Sequence, residues 1–226
     1  MQNTIHPGVG FDLDGVLADI ATQLLLYIRR SLGIELSLDA FTSENIETCT
    51  PVTRDQLVSF FCDPAFFATV PAFAGARRAL AALRRRGYRL HIITDRFWYG
   101  ELHHDTEQWL RRHRLPFDSL RFARKNEKKY LVSDLGITWF VEDQLSNANV
   151  LSECCHVLLL DRPYNRGPQA DAVIRLDSLK QAVDLILASQ YQTANRSNGN
   201  SLRLIDISRK PTTAPMRLAN PPLSKR

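Results

Sequence analysis

The sequence predicts an α/β chain, a doubly wound parallel sheet with a small helical cap inserted after the first strand. Three observations predict it. Short β-rich runs alternate with helical ones through most of the chain; glycines close the helices that precede strands; and chemically distinctive residues fall where predicted strands end.

In chain order, Val9 and Phe11 form a short apolar run that enters Asp12-Leu13-Asp14-Gly15, the pattern of a strand ending in a tight turn before a helix. Alternate strand side chains share a face, so Asp12 and Asp14 are expected to point into one crevice. Residues 20–70 break the alternation. They read as helices over Ile20–Leu32 and Thr53–Phe61 with a short turn near Asp63–Phe67 and no clear strand. The helix Ala74–Arg86 stops at Gly87 and leads to the strand His91–Thr94. Glu127–Leu135 is helical, closes at Gly136 and precedes the strand Ile137–Val141. Gln144–Glu153 precedes Val157–Leu160, and the weaker strand Ala172–Leu176 precedes the amphipathic helix Ser178–Ser189. The expected division is a catalytic core of residues 1–19 and 71–190, a helical cap of 20–70, and a disordered basic tail of 191–226.

The bulk properties narrow the function class. With 226 residues, 44% of them hydrophobic, the chain can bury a core, and it has no apolar run that would span a bilayer. The first residues lack the basic and apolar regions of a signal peptide, and the four cysteines show no CxxC, so a cytoplasmic protein with reduced thiols is expected. The net charge of +5 is unevenly placed: residues 191–226 carry +6, leaving the globular part at −1. That location favours solubility over specific nucleic-acid binding. A homodimer is left open by the sequence.

Asp12 and Asp14 repel each other unless a cation or proton sits between them, which implies Mg²⁺, acid/base chemistry, or both. Competing motifs fail: Val16 and Leu17 stand where a phosphate-binding loop needs Lys and Ser/Thr, Gly8 and Gly10 lack the third glycine of a dinucleotide fingerprint, and a calcium loop would need an oxygen ligand at Val16. Thr94-Asp95-Arg96 ends a strand, where a hydroxyl and free backbone N–H groups suit a phosphoryl oxygen. Lys128 lies in the basic run 124–129, where Lys125 and Lys129 read as a solvated face. Glu142-Asp143 ends a buried apolar strand and would complete, with Asp12 and Asp14, an oxygen-rich nest for Mg²⁺. No histidine pair has ligand spacing: His103 and His104 are adjacent on a helix and cannot share a face.

Taken in order, these features resemble the haloacid dehalogenase superfamily of phosphohydrolases: Asp12-Leu13-Asp14-Gly15-Val16 is similar to its first motif, Thr94 to its second, Lys128 to its third and Glu142-Asp143 to its fourth. The resemblance implies Lys128 rather than its neighbours, since 14 residues before Glu142 and 8 before Gly136 is the register of the lysine in similar members. Within the superfamily, Asp14–Asp19, Trp109-Leu110, Phe140–Asp143 and Leu159–Arg166 resemble the type C 5′-nucleotidases, which include the 5′(3′)-deoxyribonucleotidases. The resemblance implies that Asp12 attacks phosphorus to form an aspartyl-phosphate, and that Asp14 is general acid and then general base. It implies Mg²⁺ held by Asp12, the backbone carbonyl of Asp14, Asp143 and Glu142, directly or through water. Thr94 and Lys128 would grip the phosphoryl oxygens, with Asp95 and Arg96 beside the substrate, a small phosphate ester such as a nucleotide. Asp95 departs from the small or neutral residue expected there; pairing with Arg96 or capping the next helix would neutralise it. The rival readings are a phosphatase of sugar phosphates or other small esters, a non-catalytic phosphate-binding protein, and a nucleic-acid-binding module acting through the tail.

Overall fold

The structure is a computed structural model that describes residues 8–96, 102–124 and 126–197, with residues 102–103 and 190–197 described by backbone alone. Six strands form one parallel sheet: β1 (Gly8–Phe11), β2 (Arg89–Thr94), β3 (Ser119–Phe122), β4 (Ile137–Glu142), β5 (His156–Leu160) and β6 (Val173–Leu176), in the order β3-β2-β1-β4-β5-β6. This is the doubly wound order, and the direction of winding reverses between β1 and β4. The eight helices among the described residues are α1 (Ile20–Leu32), α2 (Arg54–Cys62), α3 (Pro64–Thr69), α4 (Ala76–Arg85), α5 (Leu102–Arg112), α6 (Lys128–Asp134), α7 (Leu145–Leu151) and α8 (Leu179–Ser197).

Strand alternation sorts the core into two layers. Val9, Phe11, Leu90, Ile92, Trp139, Val141, Leu158 and Leu160 face one side, with Leu80, Leu83, Trp109, Val183 and Ile186 of the covering helices. Ile93, Phe140, Val157 and Leu159 face the other, against Val132, Ala148 and Leu151. Both faces of the central strands are therefore dry, as a parallel sheet requires. Gly10 leaves space for this arrangement: a Cβ there would lie 2.3 Å from the Phe140 ring. Between Gly8 and Val9 the β1–β4 register skips a residue, from Ile137 to Trp139, so Thr138 is the extra residue of a bulge.

The segment between β1 and α4 contains α1, two short 3₁₀ turns, α2 and α3, and no strand. Local chemistry sets its helices. Asp19 caps α1 through Thr22 N, Thr53 and Gln56 form a capping box on α2, and Asp63 caps α3 ahead of Pro64. Tyr27, Phe60 and Phe66 pack edge to face. Trp109 Nε1 donates to Val70 O at 2.8 Å, and Arg112 donates to Ala68 O at 2.8 Å, which tie the end of this segment to α5.

Two sequence expectations need correction. β3 was not expected; it is a four-residue edge strand, half-buried, and too short and polar to stand out by alternation. Helix α8 runs on to Ser197, eight residues past the expected end at Ser189 and into the segment assigned to the tail. The remainder of that segment, residues 198–226, lies outside the described residues, as does Lys125.

Candidate active site

Asp12 is the first residue after β1, and its N–H still donates to Val141 O at 2.9 Å. The chain then turns tightly: Leu17 and Ala18 both donate to Leu13 O at 2.8 Å, and Gly15 donates to Ala18 O. Gly15 has φ +79°, and a Cβ there would sit 1.9 Å from Asp143 Oδ2. Only glycine permits both the backbone conformation and the approach of the β4 acid. Since β4 ends at Glu142, the turn after β1 and the pair Glu142-Asp143 meet at the winding reversal, where an open α/β sheet leaves its crevice.

One oxygen from each of Asp12, Glu142 and Asp143 lies within 4.8 Å of the others, and all three residues are buried. Lys128, at the start of α6 and 1% exposed, places Nζ 3.0 Å from Asp12 Oδ1 and 3.2 Å from Glu142 Oε2. Lys128, the lysine the resemblance selected, is thus the ammonium that reaches the acids. Glu142 is fully engaged: Oε1 accepts from the N–H groups of Asp143 at 3.0 Å and Gln144 at 3.2 Å, while Oε2 faces Lys128. Among the described residues Asp143 Oδ1 is buried and accepts no hydrogen bond, and Asp12 Oδ1, also buried, has only the Lys128 ammonium at 3.0 Å.

The electrostatics follow from three carboxyls facing one ammonium. Burial, then Glu142 and Asp14, push the Asp12 carboxyl up to about 8 against the pull of Lys128. Burial, then Glu142 and Asp12, hold Asp143 well above the usual carboxylate range. Burial works against the charge on Lys128, but Asp12 and Glu142 outweigh it and keep the ammonium above its ordinary value. The cluster is short of positive charge.

Asp14 lies apart from this group. Its carboxylate faces Arg96, which donates from Nε to Oδ2 at 2.7 Å and from Nη2 to Oδ1 at 2.6 Å. The close carboxylate cluster therefore leaves Asp14 out, although Asp12 and Asp14 do open into one crevice as expected; β1 ends at Phe11, so strand alternation does not extend to residue 14. The expected pairing of Arg96 with Asp95 fails. Arg96 is buried and taken by Asp14, while Asp95 is exposed. The alternative, that Asp95 caps the helix that follows, falls on residues 97–101, outside the described residues. Thr94, 1% exposed at the end of β2, accepts from Arg96 N at 3.4 Å.

A cavity of about 470 Å³ opens over these groups, bordered by Asp12, Asp14, Thr94, Asp95, Arg96 and Asp143 from the sheet end. Its opposite wall comes from residues 20–67 and includes Phe41, Phe61 and Phe67.

The loop after β5 supplies residues that the sequence reading quoted but gave no role. Tyr164 donates its hydroxyl to Asp143 Oδ2, and the Asn165 amide donates to the carbonyls of Asp143 at 2.6 Å and Leu160 at 2.7 Å. Arg162 donates to Gly15 O at 2.8 Å. Together they brace both acidic loops from behind. The available signal was a polar run, Asp161–Arg166, at the end of a strand of leucines. Glu44 was also missed; its carboxylate accepts from Ser146 N at 3.0 Å and from the Ser146 hydroxyl, bridging the inserted segment to α7. Among the described residues no helix is long and apolar enough to cross a membrane.

Comparison with known proteins agrees with this geometry. The family described as "5′ nucleotidase, deoxy (Pyrimidine), cytosolic type C protein" matches residues 5–192. A Halalkalibacterium halodurans protein named "Putative nucleotidase" is 25% identical over 177 residues, covering 76% of this chain and 89% of its own. A "Putative 5′(3′)-deoxyribonucleotidase" of Chlorobaculum tepidum is 29% identical over 150 residues, covering 62% and 70%. In fold, a HAD-superfamily hydrolase of Geobacter sulfurreducens superimposes with a TM-score of 0.52 at 19% identity over 80% of this chain and 97% of that one.

Proposed function

The chain belongs to the cytosolic type C 5′-nucleotidase family, phosphatases with the haloacid dehalogenase fold, and on that premise we propose that it is a Mg²⁺-dependent 5′-nucleotidase hydrolysing (deoxy)nucleoside monophosphates through an aspartyl-phosphate on Asp12. The observation that carries the reading is convergence: Asp12, Thr94, Lys128, Glu142 and Asp143 come from four separate segments to one end of the sheet, under a cavity of about 470 Å³. The family's cytosolic name and four free thiols favour a cytoplasmic setting.

The residues present fit a divalent cation. Asp143 Oδ1 is a buried acceptor without a donor among the described residues, and Asp12 Oδ1 has only the Lys128 ammonium, in a cluster with more carboxylate than ammonium. Asp12 and Asp143 would hold Mg²⁺ with the backbone carbonyl of Asp14. Glu142, whose oxygens already serve two N–H groups and Lys128, would position Asp143 and act on the ion through water. When bound, the ion would offset repulsion between the Asp12 carboxylate and the phosphoryl oxygens.

Lys128 holds the Asp12 carboxylate in place and, with the Thr94 hydroxyl, meets charge on the phosphoryl oxygens. Asp12 forms a bond to phosphorus as the bond to the leaving oxygen breaks, and Asp14 gives that oxygen a proton. Asp14 then takes a proton from the water that attacks phosphorus and releases Asp12. The helical segment 20–70 acts as the cap that contacts the leaving group and excludes water.

A screen of nucleoside monophosphates and sugar phosphates with Mg²⁺ tests the reading. Turnover of nucleotides is expected, abolished by chelation and restored by Mg²⁺. Asp12→Asn should lose at least about 10³-fold in rate with an unchanged circular dichroism spectrum. A preference for sugar phosphates would replace the substrate assignment, and an active Asp12→Asn would remove the nucleophile.

A further inference from the structure

We propose that Arg96 is a positioning residue that fixes the carboxylate of Asp14 for proton transfer to the leaving group, and is not a ligand of the substrate phosphate. The inference rests on the reading of Asp14 as acid and base. Two parallel contacts, 2.7 and 2.6 Å, set the plane of the Asp14 carboxylate as well as its position. The Asp14 side chain keeps 20% of its surface open, whereas the Arg96 side chain keeps 2%. The cavity therefore reaches the acid, with the guanidinium behind it.

Arg96 has no exposed edge with which to grip an ester. Nε and Nη2 are committed to Asp14, and Nη1 is buried without a hydrogen-bond partner among the described residues. The guanidinium carbon lies 4.5 Å from the centre of the Phe67 ring of α3 and 5.8 Å from that of Trp109 of α5. Those ring faces hold it by cation–π attraction and by packing, and they block its rotation toward a ligand. Trp109 is itself fixed by its bond to Val70 O. Lysine could keep the charge but not the two-point contact.

The proton matters in proportion to the basicity of the leaving oxygen. In the first step Asp12 bonds to phosphorus, the P–O bond breaks with its electron pair going to the leaving oxygen, and that oxygen takes the Asp14 proton. In the second, water oxygen bonds to phosphorus, its proton returns to Asp14, and the P–Oδ bond breaks to restore the Asp12 carboxylate. A poor leaving group needs the proton in the first step; p-nitrophenolate departs without it. A phosphate ligand, by contrast, would serve both esters equally.

The test compares kcat/KM for phenyl phosphate and p-nitrophenyl phosphate in wild type, Arg96→Lys and Arg96→Met, each saturated with Mg²⁺. Both variants are expected to lower the phenyl to p-nitrophenyl ratio by about tenfold or more. KM should not rise, and with p-nitrophenyl phosphate the first turnover should release a burst of p-nitrophenol because water activation is now slow. The ratio is taken on one preparation, so partial unfolding of a variant does not alter it. An unchanged ratio with KM raised equally for both esters would make Arg96 a phosphate ligand and overturn the proposal. Absence of wild-type turnover on either ester would instead remove the phosphatase reading on which it rests.

Discussion

Lys128 shows how much one residue can disclose. The register implied by the family resemblance singled it out from a basic run, and the structure buries it between Asp12 and Glu142. Burying an ammonium is tolerable only with such partners, and removing it leaves carboxylates without a counter-charge. In the metal-free protein at pH 9, above the value of about 8 to which Asp12 is pushed, Lys128→Met should cost about 3–5 kcal/mol in urea denaturation. Asp12→Asn in the same background should recover a large part of that loss, because it removes one of the stranded charges. Additive losses in the double variant would mean that the 3.0 Å contact carries no coupling. Arg96 was less legible for a physical reason: its partner Asp14 is 82 residues away, so a neighbouring acid in sequence, Asp95, looked like the natural counter-ion. Asn165 illustrates a further limit. An asparagine in a polar loop carries no sequence sign that it will be 1% exposed and bonded to two carbonyls.

At the level of elements, strand and helix positions were readable where apolar periodicity was strong. The strands from His91, Ile137 and Val157 fall where expected, and the helix Ile20–Leu32 has the predicted ends. The edge strand β3 escaped because pairing with β2, rather than its own composition, makes it a strand. Gly8 and Gly10 were informative in an unexpected way. They fail as a dinucleotide motif because they serve packing: Gly10 admits the Phe140 ring, which lies 5.9 Å from Lys128 Nζ. Gly10→Ala puts a Cβ into a buried ring between two parallel strands, and overpacking of this kind costs about 1–3 kcal/mol. A lower Tm by calorimetry is expected, and Phe140→Leu in the same chain should restore most of it. A Gly10→Ala protein as stable as wild type would show that the ring can move aside, and that Gly10 is not set by this contact.

The whole molecule turns sheet topology into chemistry: the reversal between β1 and β4 brings Asp12 to Glu142 and Asp143, and the segment after β1 walls the resulting cavity. The doubly wound class was implied by the alternation of elements, whereas the strand order and the partition of charge inside the site required coordinates. That partition has a consequence for stability. An aspartate in an unfolded chain titrates near 3.8, but Asp12 in the metal-free folded protein is pushed up to about 8, and Asp143 is displaced the same way. Between those values the folded protein holds protons that the unfolded chain has released. Through Asp12, stability of the metal-free form therefore declines as pH rises from about 4 to about 8, and Asp143 adds to the decline. One retained proton is worth about 1.4 kcal/mol per pH unit, which for a chain of this size lowers Tm by about 4 °C per unit. Saturating Mg²⁺ would favour the ionised carboxylates in the folded state and remove this decline, so the gain in Tm on adding Mg²⁺ should grow with pH. Calorimetry at pH 5, 6, 7 and 8, with EDTA and with Mg²⁺, reads both slopes. Parallel slopes in the two series would mean that no ion binds at Asp12 and Asp143, and a flat slope in EDTA would mean that these carboxylates are already neutralised within the protein.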